Sequence, residues 1–159
     1  INSLKKIYIM TASDKCYSFI KNFEGCRLKA YNDGVGIMTI GYGSTMYPEG
    51  TRVKEGDVIT QERAEFLIKW EVILKTKSIA VFLYNVILKQ QQFDALISFA
   101  YNVGVGNFKK STLLKKVKVN PADITIRDEF MKWNRAGGIV LNGLTKRRAA
   151  EADLYFSTG

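Results

Sequence analysis

The chain has 159 residues, 47% hydrophobic and 25% charged, enough for one domain with a real core and too apolar for a disordered segment. A net charge of +9 favours an anionic partner, whether nucleic acid, a membrane surface or a cell-wall polymer. There is no His, which excludes Ser-His-Asp and Cys-His nucleophile chemistry and the commonest zinc sites, so any chemistry has to run on carboxylates, hydroxyls, Lys or Tyr.

The first 10 residues read as an extended leader or ordered tail, and the division expected is a leader over 1–14 and a single domain over 15–159. Leu4 to Met10 carries a Lys-flanked apolar patch, too short for a signal-peptide core with its cleavage site. Thr11-Ala12-Ser13-Asp14 has the Thr-x-x-acid form of a helix start with Thr11 as cap, and Cys16, Phe19, Ile20 and Phe23 follow at helical spacing. Gly25 suits a left-handed C-terminal cap, which puts Glu24 at the end of a short helix. Asn32-Asp33-Gly34 is a turn signal, and the β-branched and aromatic run from Val35 to Tyr42 predicts a small antiparallel hairpin or three-stranded sheet.

Thr60 would cap a long helix from Gln61 through Phe66, Leu67, Trp70 and Leu74. Another helix covers about Lys89 to Asn102, with Phe93, Leu96, Ile97 and Ala100 on one face and Gly104 just past its end. Ser111 would cap a short helix through Val117, Asn120-Pro121 opens a helix to about Trp133, and a last helix runs from about Leu144 to Phe156. The longest apolar run, Ile79 to Leu88, is broken by Asn85 and too short to span a bilayer. Trp70 and Trp133 are expected in the core. Cys16 and Cys26 fit either free core thiols or a single disulfide, with free thiols favoured. The sum is an α+β architecture, a small N-terminal β lobe and a larger helical lobe with a cleft between them.

Cleavage of a glycosidic bond needs a proton donor for the leaving oxygen and a second group opposite it, to stabilise positive charge or activate water. Glu24 at a helix end and Asp33 at the next turn could face each other across a groove, with Thr39 holding a water. By default these three are a helix-end carboxylate, a turn residue and a β-former, and fifteen carboxylates give many such pairs by chance. The surrounding residues decide. Phe23-Glu24-Gly25, then Leu28-Lys29-Ala30-Tyr31-Asn32-Asp33-Gly34, then Met38-Thr39-Ile40-Gly41-Tyr42-Gly43 closely resembles the active-site signature of phage-type lysozymes, glycoside hydrolase family 24. Gln92-Phe93-Asp94-Ala95-Leu96, Ser98 to Gly104, Ser111-Thr112-Leu113-Leu114, Ala136-Gly137-Gly138 and Arg147-Arg148-Ala149-Ala150-Glu151 continue the resemblance in order, over about residues 15 to 156.

The resemblance implies a lysozyme-like fold and an endolysin-type hydrolase of peptidoglycan glycan strands. In it Glu24 is the general acid, Asp33 stabilises the oxocarbenium-like transition state, and Thr39 holds the attacking water, with inversion at the anomeric carbon. Tyr42, Tyr101 and Asn102 are candidate sugar contacts, equally open to core packing or helix-end capping. Arg147 or Arg148 would pair with Glu24, the other lying on a solvated basic face. Ser44 departs from the family, which has His after Gly-Tyr-Gly as a partner for a carboxylate; lower stability or altered pH dependence is expected from it. No metal and no cofactor is expected, nor nucleic acid or stable membrane insertion. The chain is expected to be a monomer that acts at the cell wall or periplasm after release or export from the host cytoplasm. A hydrolase delivered as a toxin or used in wall remodelling, and a wall-binding module that kept the fold without the chemistry, are the alternatives.

Overall fold

Seven helices and two small antiparallel sheets make up residues 9–159, the part of the chain that the computed structural model describes. The leader expected over 1–14 therefore lies outside the described residues for 1–8. Helix α1 spans Asp14–Glu24. Its cap is Ser13 and not Thr11, because the Ser13 side chain accepts from the Cys16 N–H while its own N–H and hydroxyl reach the buried Asp94. Gly25, at φ 65°, ends the helix as expected.

Strands β1 (Arg27–Asn32) and β2 (Met38–Gly41) form the antiparallel hairpin, irregular between Arg27 and Tyr31. Ile40, Val53 and Leu67 make a small core for this lobe. Leu67 belongs to α2 (Gln61–Leu83), capped by Thr60, whose side chain accepts from the Arg63 N–H. At 23 residues α2 is about 34 Å long, so it floors the β lobe at one end and enters the main core at Ile79 and Leu83 at the other. Its buried positions are Ala64, Leu67, Ile68, Val72, Thr76, Ile79 and Leu83, while Phe66 and Leu74 are exposed.

Helix α3 (Gln90–Val103) is the centre of the helical lobe, buried without a break from Phe93 to Tyr101. Around it pack α4 (Val105–Lys110), α5 (Thr112–Val119, capped by Ser111), α6 (Ile126–Met131) and α7 (Asn142–Tyr155). Phe99 of α3 meets Phe108, Phe130 and Trp133 edge-on at centroid distances of 5.5 to 6.3 Å, which places Trp133 against the core. The α4 turn was not expected; buried Phe108 anchors it.

The helix expected from Asn120-Pro121 begins only at Ile126. Asn120 Oδ1 accepts the Ala122 N–H, and Asp123 Oδ1 accepts both the N–H and the hydroxyl of Thr125, so side chains satisfy donors in turns that compete with a helix. Strands β3 (Arg135–Ala136) and β4 (Ile139–Val140) form a second hairpin that the sequence reading passed over. Gly137 and Gly138, both at positive φ (57° and 79°), make the two-residue turn it requires. Both cysteines are free thiols: Cys16 is in the core, but Cys26 is exposed and so is no core thiol. Among the described residues no helix is long and apolar enough to cross a membrane.

Candidate active site

Buried Asp94 on α3 ties down the start of α1, and Glu24 occupies the helix's last turn. A carboxylate there opposes the helix dipole, and the compensating cation arrives from α7. Arg147 Nη1 lies 2.5 Å from Glu24 Oε1, with the guanidinium only 5% exposed and the Glu24 side chain 20% exposed. Arg147 also donates through Nε to Glu151 Oε2 at 3.4 Å and through Nη2 to the Ser98 carbonyl at 3.3 Å.

The choice between the two arginines is thereby made. Arg148 is not on a solvated basic face: it is fully buried, its Nη2 donating to Asn102 Oδ1 at 2.7 Å. Its Nε is 2.8 Å from Glu151 Oε1, an ion-pair contact angled away from a good hydrogen bond. Glu151, itself fully buried, thus lies between two guanidinium groups and accepts from the Ser98 hydroxyl at 2.6 Å.

Asp33 sits at the hairpin turn, where Oδ1 accepts the N–H groups of Val35 and Ile37 at 3.0 and 3.1 Å. These bonds fix the carboxylate against its own loop, as Asn32 Oδ1 does for Gly34 and Gly36. Thr39, 5% exposed, follows on β2 with its hydroxyl 3.3 Å from the Ile37 carbonyl. Glu24, Asp33 and Thr39 line one cleft between the lobes, together with Tyr101 and Asn102. A second hollow, walled by Phe23, Leu141 and Leu144, shares Glu24 and Asn102 with it, so the groove passes across Glu24.

Tyr42 does not line the cleft. Its ring is in the main core, its hydroxyl donates to Glu65 Oε1 at 2.8 Å, and its carbonyl is 3.0 Å from the Tyr101 hydroxyl. Tyr42→Phe is accordingly expected to leave wall clearing within about twofold of wild type while removing the hydroxyl's bonds to Glu65 and Gln61, each worth about 1 kcal/mol, read by turbidity and urea unfolding. Among the described residues no group of three or more His, Cys, Asp or Glu side chains could hold a metal ion.

Two charged cleft residues escaped the sequence reading, Glu71 and Lys75 on α2; their i, i+4 spacing was the available signal. Burial pushes the Glu71 carboxyl above its ordinary range, against the pull of the Ser44 and Tyr101 hydroxyls and of Lys75. Burial likewise pulls Lys75 below the ordinary lysine range, opposed by the charges of Glu71 and Glu24. Ser44 is 1% exposed, without a hydrogen bond of good geometry, and Glu71 is its neighbouring acceptor.

Gly43 closes the other side of Glu24. It has φ 99°, and a Cβ built there would stand 3.2 Å from Glu24 Oε2. Gly43→Ala carries both backbone strain and a displaced carboxylate, so activity should fall about 10²-fold, as for a misplacement near 1 Å. A purified, folded variant clearing walls at the wild-type rate would show that Glu24 tolerates the crowding.

Comparison with known proteins places the chain in a family. The family model described as Phage lysozyme matches residues 21–151. The chain belongs to the phage lysozyme family. Phage lysozymes are glycoside hydrolases that act on peptidoglycan. An endolysin of Bacillus phage B103 is 41% identical over 93% of this chain, which spans only 55% of that relative's length. An endolysin of Acyrthosiphon pisum secondary endosymbiont phage 1 is also 41% identical over 93% of the chain and is covered over 99% of its own length. Among solved structures, an endolysin from Escherichia coli O157:H7 phage FAHEc1 superposes with a TM-score of 0.85 at 35% identity, covering 94% of this chain and 96% of that one. The α+β lysozyme fold is thus shared along nearly the whole chain.

Proposed function

We propose that this chain hydrolyses the β-1,4 bond between N-acetylmuramic acid and N-acetylglucosamine in bacterial peptidoglycan, as an endolysin-type muramidase. The observation that carries the reading is the meeting of Glu24, Asp33 and Thr39 in one interlobe cleft, inside the segment that matches the family. Glu24, on the helix end with Arg147 behind it, gives its proton to the leaving glycosidic oxygen. Asp33, fixed through one oxygen by its own turn, keeps the other for the developing oxocarbenium charge and the incoming water. The Thr39 hydroxyl holds that water from β2. Asn102, pinned by Arg148, offers its amide N–H groups to the sugar, and Tyr101 forms part of the wall.

The remaining assignments follow from the substrate. The net charge of +9 suits an anionic wall polymer, and the enzyme acts as a monomer on glycan strands at the wall or periplasm, released or exported from the host cytoplasm, with no nucleic-acid partner. Digestion of purified peptidoglycan followed by borohydride reduction and mass spectrometry tests the bond. Reduced N-acetylmuramic acid at the new ends is the expected product. Reduced N-acetylglucosamine would assign the other bond, and no new reducing ends would favour a wall-binding module without chemistry.

A further inference from the structure

The cleft that holds Glu24 also carries an ammonium that the proposed chemistry does not use. Lys75 and Glu71 share one face of α2, yet among the described residues Lys75 forms no ion pair with any carboxylate. Both side chains take hold of Tyr101 on α3 instead. The Tyr101 hydroxyl lies 3.0 Å from Glu71 Oε2 and 3.0 Å from the Tyr42 carbonyl. Lys75 Nζ donates to the Tyr101 carbonyl at 3.2 Å and stands 4.4 Å from the ring centre. One residue is therefore gripped at both ends, by opposite charges from a single helix. The next residue is Asn102, a cleft wall beside Glu24 that Arg148 holds from the far side.

The contacts to Tyr101 depend on charge. A carbonyl and an aromatic face attract an ammonium and have little hold on a neutral amine. The titratable groups facing Lys75 are Glu71 on its own helix, Glu24 from α1, Tyr101 from α3 and Arg147 from α7. Burial and the Glu71 charge keep the Tyr101 hydroxyl protonated far above its ordinary range, so Tyr101 does not release the grip by ionising first.

We propose that Lys75 is a positioning residue for hydrolysis: in its charged form it clamps Tyr101 together with Glu71 and thereby sets the α3 wall of the cleft at Asn102, beside Glu24. This rests on the cleft being the hydrolytic site described above. The sign of the pH effect follows. The clamp is complete at neutral pH and is lost as pH rises through the lowered pKa of Lys75, which gives turnover an alkaline limb below the ordinary lysine range.

The test compares wild type, Lys75→Met, Lys75→Arg and Glu24→Gln on one batch of purified peptidoglycan, with kcat and KM measured from pH 5 to pH 10 and melting temperature at each pH. Lys75→Met is expected to lower kcat at neutral pH by roughly tenfold through a displaced wall and to lose the alkaline limb. Lys75→Arg, which stays charged, should keep most of the wild-type kcat and move the limb to higher pH. A folded Lys75→Met with the wild-type kcat and pH profile overturns the proposal. So does a Lys75→Arg limb at the wild-type position, and if Lys75→Met fails to fold that variant decides alone. Glu24→Gln separates the two readings, because activity surviving in it removes the assumed acid whatever the lysine variants do.

Discussion

Glu24→Gln is expected to clear peptidoglycan suspensions about 10² to 10⁴-fold more slowly than wild type, the range contributed by one positioned general acid. The replacement is nearly isosteric and keeps a carbonyl oxygen for Arg147 Nη1, now 2.5 Å from Glu24 Oε1, but it has no proton to deliver. Stability should fall modestly, because two effects oppose without fully cancelling. Weakening a charge-assisted hydrogen bond costs about 1.5 to 3 kcal/mol, while removing a carboxylate from a helix C-terminus returns up to about 1 kcal/mol. Arg147 meanwhile keeps Glu151 and the Ser98 carbonyl. Turbidity clearing with circular dichroism on both proteins is the check. Equal clearing by a folded variant would mean that another group supplies the proton.

Glu151→Ala should have the largest effect on stability, a loss of about 3 to 5 kcal/mol, as for other buried charges stripped of a partner. Glu151 is wholly buried between Arg148 Nε at 2.8 Å and Arg147 Nε at 3.4 Å. Burial pushes its carboxyl upward, and the two guanidinium groups and the Ser98 hydroxyl pull against that. Truncation leaves two buried cations side by side and takes from the Ser98 hydroxyl the acceptor of its proton. At about 2 to 4 °C per kcal/mol for a domain of this size, the melting temperature should drop by roughly 10 °C. Activity should fall as well, even where the variant is folded, since Arg147 loses one of the anchors that aim it at Glu24. Urea unfolding with an unchanged m-value would attribute the loss to the native state; a shift below about 1 kcal/mol would show that the arginines find other acceptors.

Much of the fold was legible in the sequence because its signals are local. Thr60 and Ser111 cap α2 and α5 through bonds to N–H groups three residues on. Gly25 and Gly104 end α1 and α3 with positive φ, and Asn32-Asp33-Gly34 makes the β1–β2 turn. The misses were decided by competitors that the pattern did not weigh, one of them distant in sequence. Ser13 displaced Thr11 as cap because buried Asp94, 81 residues away, holds it. Asn120 and Asp123 spent their side chains on turns and delayed α6 to Ile126.

For the candidate site, the residue types in order placed Glu24, Asp33 and Thr39 through their resemblance to a family signature. Which side chains meet them is not a property of neighbours in sequence. Arg147 reaches Glu24 across 123 residues, Tyr101 reaches the Tyr42 carbonyl across 59, and Lys75 reaches the Tyr101 carbonyl across 26. These contacts exist because α2, α3 and α7 pack side by side, and that packing is set by the summed burial of apolar side chains such as Ile79, Phe99 and Leu154. Hydrogen bonds within a turn need only a few residues to be written, so the sequence determined the caps of α2 and α5 and the hairpin turn. The partner of each charge depends on where whole helices come to rest, so only the tertiary structure decided that Arg147 serves Glu24, that Arg148 is buried, and that Tyr42 supports the cleft from behind.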